Sequence, residues 1–157
     1  MAKTKARQRF VHRPLLTDDE RGLWRSFVTI HFAITGQLDD ELRRESGLTL
    51  PEYEVLWELT NASDNRLRMN ELARHLLFTR SGVTRLIDRL EAAGYVERDV
   101  CDHDGRGVYA ALTESGFAAF EAAAIPYIDR LRELFFDRLK GDLRETRRLL
   151  GRLTPDA

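Results

Sequence analysis

Leu23, Trp24, Phe27, Ile30, Ile34, Leu38 and Leu42 follow one another at three- and four-residue steps, the spacing of one helical face. Thr17-Asp18-Asp19-Glu20 precedes them as a capping box, a hydroxyl first and a glutamate three residues on. The pattern predicts a long amphipathic helix over 17–46, ending near Gly47. At ~1.5 Å per residue it runs beyond ~40 Å, more than one small domain needs, so its apolar face is expected to be shared with another subunit. Thr49-Leu50-Pro51-Glu52 repeats the box, with proline where its missing N–H is harmless, and predicts a short helix over 51–61. Asn61–Asn65 reads as a turn.

A third helix is expected to start at Asn70 as its cap, with Leu72, Ala73, Leu76 and Leu77 facing inward. Phe78-Thr79 breaks the pattern, and a fourth helix follows from Arg80 to Ala93, stopping at Gly94. Its inward face is Val83, Leu86, Ile87 and Leu90; its outward face carries Arg80, Ser81, Thr84, Arg85, Asp88 and Arg89. Tyr95–Val100 and Val108–Leu112 flank a polar, glycine-bearing tip and predict a β-hairpin. Thr113 caps a fifth helix with Phe117, Phe120, Ala124, Tyr127, Ile128, Leu131, Leu134 and Phe135 on one side; Pro126 within it predicts a kink or a short break. Asp142 to Leu153 forms the last helix. Residues 1–14 have no apolar periodicity and read as a flexible basic arm.

With 157 residues, 43% apolar and 32% charged, the chain is expected to be one soluble globular domain rather than a disordered one. Its apolar runs fall far short of the ~18 residues of a membrane span. The basic N-terminus has no apolar stretch behind it, and a single cysteine excludes a disulfide framework, so a cytoplasmic location is the expectation. Net charge is −1 and says nothing of nucleic acid; its distribution does. Residues 1–13 hold five basic residues and no acid, residues 38–58 seven acids against two arginines, and residues 66–89 six arginines against Glu71 and Asp88.

Two short helices joined by a tight turn and followed by a hairpin have the order of a winged helix-turn-helix. Ala73 is small where the helices must cross. Ser81 and Thr84 are short enough to reach bases or phosphates, Arg85 offers two parallel donors to a guanine edge, and Arg80 and Arg89 sit better for phosphates at the groove walls. Arg106 at the hairpin tip suits the negative potential of a minor groove, with Asp104 bracing it.

The stretch MNELARHLLFTRSGVTRLIDRLEAAGYVERDVCDHDGRGVYAALTESG, residues 69–116, resembles the winged helix-turn-helix core of the MarR family of bacterial transcriptional regulators, and the flanking helices extend the likeness over about 15–153. The fold implied is mainly α with a small β-wing (α+β), a winged helix-turn-helix core plus a helical dimerisation region. The expected division is an arm at 1–14, a dimerisation region at 15–48 and 113–157, and a DNA-binding lobe at 49–112. The resemblance implies a homodimer built from the first, fifth and sixth helices, a pseudo-palindromic operator in double-stranded DNA, and frequent release, most often of a repressor, by a small phenolic or aromatic effector. It places Arg80, Ser81, Thr84 and Arg85 at recognition-helix positions, and Asp104 and Arg106 on the wing.

Trp24, Phe27, His31, Tyr53 and Trp57 are the candidate lining of an effector cavity between the first two helices; the alternative is ordinary core. Cys101, His103 and Asp104 share one short segment without further ligands, so no metal site and no cofactor are expected. The four scattered histidines and the lack of a glycine-rich phosphate loop speak against an enzyme. A winged-helix dimer without an effector, or an interaction module that has lost DNA reading, remain the other readings. An arginine-rich face fits the second poorly, since protein-binding faces are more often apolar or aromatic.

Overall fold

The computed structural model describes residues 16–100, 107–139 and 141–153. The basic arm, Cys101, His103, Asp104 and Arg106 lie outside the described residues. The chain divides into two compact units, Met1–Ala33 and Ile34–Ala157, with helix α1 (Asp18–Ser46) contributing to each. Six further elements matter below: α2 (Leu50–Thr60), β1 (Arg66–Arg68), α3 (Met69–His75), α4 (Arg80–Ala92), β2 (Val96–Val100) and β3 (Val108–Leu112). Two more helices, α5 (Glu114–Leu131) and α6 (Leu143–Gly151), follow; short helical turns at Ser63–Asn65 and Asp137–Leu139 stand among these elements. Among the described residues no helix is long and apolar enough to cross a membrane.

Both capping boxes form. The Thr17 N–H donates to Glu20 Oε2 at 2.6 Å and the Glu20 N–H to Thr17 Oγ1 at 3.2 Å. The Thr49 N–H donates to Glu52 Oε2 at 2.8 Å and the Glu52 N–H to Thr49 Oγ1 at 3.3 Å. Each box satisfies two amide donors that a helix start leaves unpaired. Within the first unit, Leu23, Trp24, Phe27, Ile30 and Phe32 are exposed.

The core of the second unit forms where four helix faces meet one sheet face. Tyr53, Val55, Leu56 and Leu59 of α2 join Leu72 of α3, Val83, Ile87 and Leu90 of α4, Val96 and Ala110 of the sheet, and Phe120 and Ala123 of α5. Burying each large aliphatic side chain contributes about 1.5–3 kcal/mol, so α4 is anchored along its whole inward face. At the sheet–α5 junction the Thr113 and Ser115 hydroxyls both donate to the Gly94 carbonyl, at 2.7 and 2.6 Å. A Cβ on Gly116 would stand 2.0 Å from the Tyr95 carbonyl oxygen, so only glycine allows this helix start to approach the strand so closely.

Four expectations need correction. The hairpin is part of a three-stranded antiparallel sheet ordered β1-β3-β2, because Arg66–Arg68 pairs with Tyr109–Ala111. A single apolar residue between two arginines carries no strand signal of its own; the partner strand makes it one. Leaving that strand, the chain enters α3 at Met69, not Asn70, and Glu71 Oε2 accepts the Arg68 N–H at 3.1 Å. Leu77 does not face inward: it sits in the turn with φ +55° and is 90% exposed. Pro126 does not interrupt α5, which runs on to Leu131 before a π-turn at Arg132–Phe136. The carbonyl that Pro126 deprives of a donor belongs to Ala122, which is exposed, so water replaces the missing bond.

Candidate nucleic-acid interface

The helix-turn-helix is built by local bonds. The Phe78 N–H closes α3 on the Ala73 carbonyl at 3.0 Å. Thr79 then caps α4, its Oγ1 accepting the Gly82 N–H at 3.1 Å. Ala73 is buried at the crossing, as its size requires. With Val83, Leu86, Ile87 and Leu90 turned into the core, the 3.6-residue period puts Arg80, Ser81, Thr84, Arg85 and Arg89 on the solvent side, and all five are exposed.

These five differ in what holds them. Thr84 Oγ1 donates to the Arg80 carbonyl at 2.9 Å, and Ser81 Oγ lies 3.2 Å from Thr79 Oγ1. Among the described residues neither Arg80 nor Arg85 has a carboxylate partner, so both guanidiniums are available to an incoming anion. Arg89 is engaged: its Nε donates to Glu52 Oε1 at 2.7 Å. Glu52 is buried to 8% exposure. Burial alone would push its carboxyl up, but Arg89 and the two groups of Thr49 outweigh that and hold it below the usual carboxylate range. Arg89 thus ties α4 to the start of α2.

Three arginines that the sequence offered without a role lie on the sheet. Arg68 donates through Nε to the Tyr109 hydroxyl at 2.8 Å. Its guanidinium and that of Arg66 lie 5.2 and 5.4 Å from the centroid of the Tyr109 ring, within cation–π range. Arg66 also pairs with Asp99 at 2.9 Å. Arg98 of β2 binds both Asp88 and Glu91 of α4. A concavity of about 390 Å³ opens between these elements, lined by Arg68, Met69, Asn70, Arg80, Thr84, Arg98, Gly107 and Val108. Its lining joins three arginines to apolar Met69 and Val108, with donors from α4 on one side and the sheet on the other. The arginine excess of residues 66–89 was the signal that could have found Arg68; Arg98 lies beyond it.

The effector candidates fall into the two units. Trp24 and Phe27 stack at 5.9 Å on the exposed face of α1, and His31 lies 5.3 Å from Phe32. In the second unit Tyr53 is 1% exposed, with ring centroids 4.4 Å from Tyr127 and 5.4 Å from Phe120. Its hydroxyl has no partner among the described residues, and burial followed by Tyr127 pushes its pKa up to about 12. Trp57 meets the Phe120 ring edge-on at 5.9 Å and keeps an exposed side.

A model of the MarR family matches residues 46–107. The crystal structure of Sco3205, a MarR family transcriptional regulator from Streptomyces coelicolor, in complex with DNA, is similar with a TM-score of 0.85 and 33% identity over 90% of this chain and 89% of that one. A MarR mutant from Escherichia coli complexed with operator DNA gives a TM-score of 0.77 and 25% identity over 90% of this chain and 100% of that one. The uncharacterized HTH-type transcriptional regulator YfiV of Bacillus subtilis is 28% identical over 107 residues, 68% of this chain. That match spans 64% of YfiV, under two thirds of its length. The family match covers the helix-turn-helix with β1 and β2 and stops short of β3, and the Streptomyces likeness, at 33% identity, extends to nearly the whole chain: this protein belongs to the MarR family of transcriptional regulators.

Proposed function

We propose that the chain acts as a homodimer that binds a pseudo-palindromic operator in double-stranded DNA and represses transcription. The observation that carries this reading is the pair of exposed guanidiniums, Arg80 and Arg85, on the N-terminal half of a helix whose opposite face is buried. Arg85 reads a base edge in the major groove; Arg80, Arg68 and the short hydroxyls of Ser81 and Thr84 hold phosphates. Arg106 is assigned to the minor groove, with Asp104 bracing it; both lie outside the described residues. Arg89 reaches phosphate only through the terminal nitrogens that Glu52 leaves to it. The DNA-bound state of two similar proteins supports the same reading.

Dimerisation is supported by apolar surface that a single chain leaves in water. Phe136, Leu143, Leu149, Leu150 and Leu153 are exposed near the C-terminal end, where Phe135, Leu139, Leu143 and Leu150 line a groove of about 540 Å³. Contiguous exposed apolar surface of this kind marks an interaction face. A twofold dimer would set two α4 helices about 34–36 Å apart, one turn of duplex. The effector is assigned to an aromatic or phenolic compound held by Tyr53 and Trp57 of the second unit. The unpaired Tyr53 hydroxyl supports this, since a buried hydroxyl without a partner costs about 1–3 kcal/mol that a ligand or water would recover.

Selection of bound duplexes from a random pool tests the proposal, followed by anisotropy titration and sedimentation. The expected result is an inverted-repeat consensus bound by a dimer, with affinity falling steeply with salt. Leu150→Glu should give monomers that bind it weakly. Recovery of no consensus at low salt, or a monomer at micromolar concentration, would refute the reading.

A further inference from the structure

We propose that Arg98 is a positioning residue for DNA binding, pinning the β2–β3 wing onto α4 through Asp88 and Glu91 rather than touching phosphate itself. This rests on the DNA-binding reading above. Arg98 lies in the wall of the basic concavity, where an arginine would ordinarily be read as a phosphate contact. Its guanidinium is already taken: one terminal nitrogen holds Asp88, the other Glu91. These carboxylates are three residues apart on α4 and so stand on one face of it. To reach a phosphate, Arg98 would have to release two acids beside the DNA, a net repulsion.

The backbone gives the clamp its leverage. Arg98 pairs with Ala110 of the central strand, so a restraint on its side chain is passed to β3. Elsewhere along the helix–sheet junction the described backbone bond is the one from the Tyr95 N–H to the Leu90 carbonyl, at 2.9 Å. Val96 and Ala110 seat the base of the hairpin in the core, and β3 also pairs with β1. Arg98 adds a charged point farther along β2, toward the end of the hairpin at Val100 and Val108. The concavity has Arg80 and Thr84 on the helix side and Gly107 and Val108 on the sheet side, so its width depends on the angle of the hairpin to α4. Positioning binding groups in advance of DNA lowers the ordering cost of association.

The two accounts predict opposite signs for removing the acids. If Asp88 and Glu91 were free surface charges near DNA, Asp88→Asn with Glu91→Gln would tighten binding by removing repulsion. If they anchor the wing, the same double substitution weakens it. The test uses the full chain, a 30-base-pair duplex selected by the wild type from a random pool, and a random duplex of that length, titrated by anisotropy at several salt concentrations. Hydrogen exchange of the Val96–Val100 and Val108–Leu112 amides is followed without DNA.

The clamp predicts that Asp88→Asn/Glu91→Gln and Arg98→Gln each weaken the selected duplex by about tenfold, which is about 1.4 kcal/mol. Binding to the random duplex changes far less, the combined variant is no worse than either parent, the salt slope for Arg98→Gln is unchanged, and sheet amides exchange faster in both. Arg98→Lys, which reaches one carboxylate at a time, falls between and serves if Arg98→Gln does not fold. Tighter binding on acid removal, or a salt slope shallower by about 0.9 for Arg98→Gln, would make Arg98 a phosphate contact and overturn the proposal. A wild type that binds no duplex at low salt defeats the DNA reading instead; unchanged exchange in both variants would still dispose of the clamp.

Discussion

Replacing Glu52 tests whether α4 is held at its C-terminal half by the start of α2. In Glu52→Ala the Thr49 N–H loses its acceptor at 2.8 Å and Arg89 loses its partner at 2.7 Å. A part-buried amide left unpaired costs about 1–3 kcal/mol. The ion pair adds less, because the Arg89 side chain is 56% exposed and water replaces much of what it loses, leaving about 1 kcal/mol or under. The expected destabilisation is about 2–3 kcal/mol at neutral pH, read from urea unfolding by circular dichroism at fixed protein concentration. Glu52→Gln removes the charge while keeping the shape. The Glu52 carboxyl titrates below its unfolded value in the folded chain, so the folded state binds fewer protons there. Its contribution is complete above the unfolded carboxylate range and is lost as pH falls through the lower, folded value. The stability gap between wild type and Glu52→Gln should therefore be constant above about pH 6 and close as pH drops below about 4.3. Other carboxylates, Asp39 among them, titrate in both proteins and cancel in the difference. A gap that persists or widens in acid would refute the assignment of the bond between Arg89 and a charged Glu52.

Three further substitutions probe the turn, the junction and the reading face. Leu77 occupies the left-handed region at 90% exposure, a conformation costing a non-glycine residue about 1–2 kcal/mol. Leu77→Gly should raise stability by about 0.5–1 kcal/mol in thermal or urea melts, after the entropy glycine loses; a loss would mean that Leu77 makes contacts its exposure does not suggest. Gly116→Ala forces a methyl against the Tyr95 carbonyl and should cost about 3 kcal/mol or abolish folding; a loss below about 1 kcal/mol would show that the junction shifts freely. Arg85→Ala should remove about 1–3 kcal/mol of discrimination between selected and random duplex, and an unchanged ratio would take Arg85 off the bases.

What the sequence could and could not say follows from the range of each force. Capping boxes at Thr17/Glu20 and Thr49/Glu52 are three-residue events, and the helical face of α4 repeats within one element; both are complete in the local string, and both were legible there. The strand at Arg66–Arg68 is not local: Leu67 faces Ala110 across the sheet, and no window of the chain contains both. The same distance separates the roles read for the arginines from the roles their partners give them. A periodicity argument puts Arg89 on the same outward side as Arg80 and Arg85, and so assigns all three to DNA. Only the arrival of Glu52, 37 residues earlier, makes Arg89 a tether, and only the folding of β2 against α4 gives Arg98 its two carboxylates. Leu77 fails for another reason. Its side chain continues the apolar pattern of α3, while the backbone has already turned to carry Phe78 back onto Ala73; hydrophobicity and turn geometry disagree there, and the turn prevails because the closely packed crossing of α3 and α4 depends on it. Exposed arginines on one helix face are therefore equivalent in sequence and unequal in the fold, and the carboxylates that reach them decide which are left for DNA.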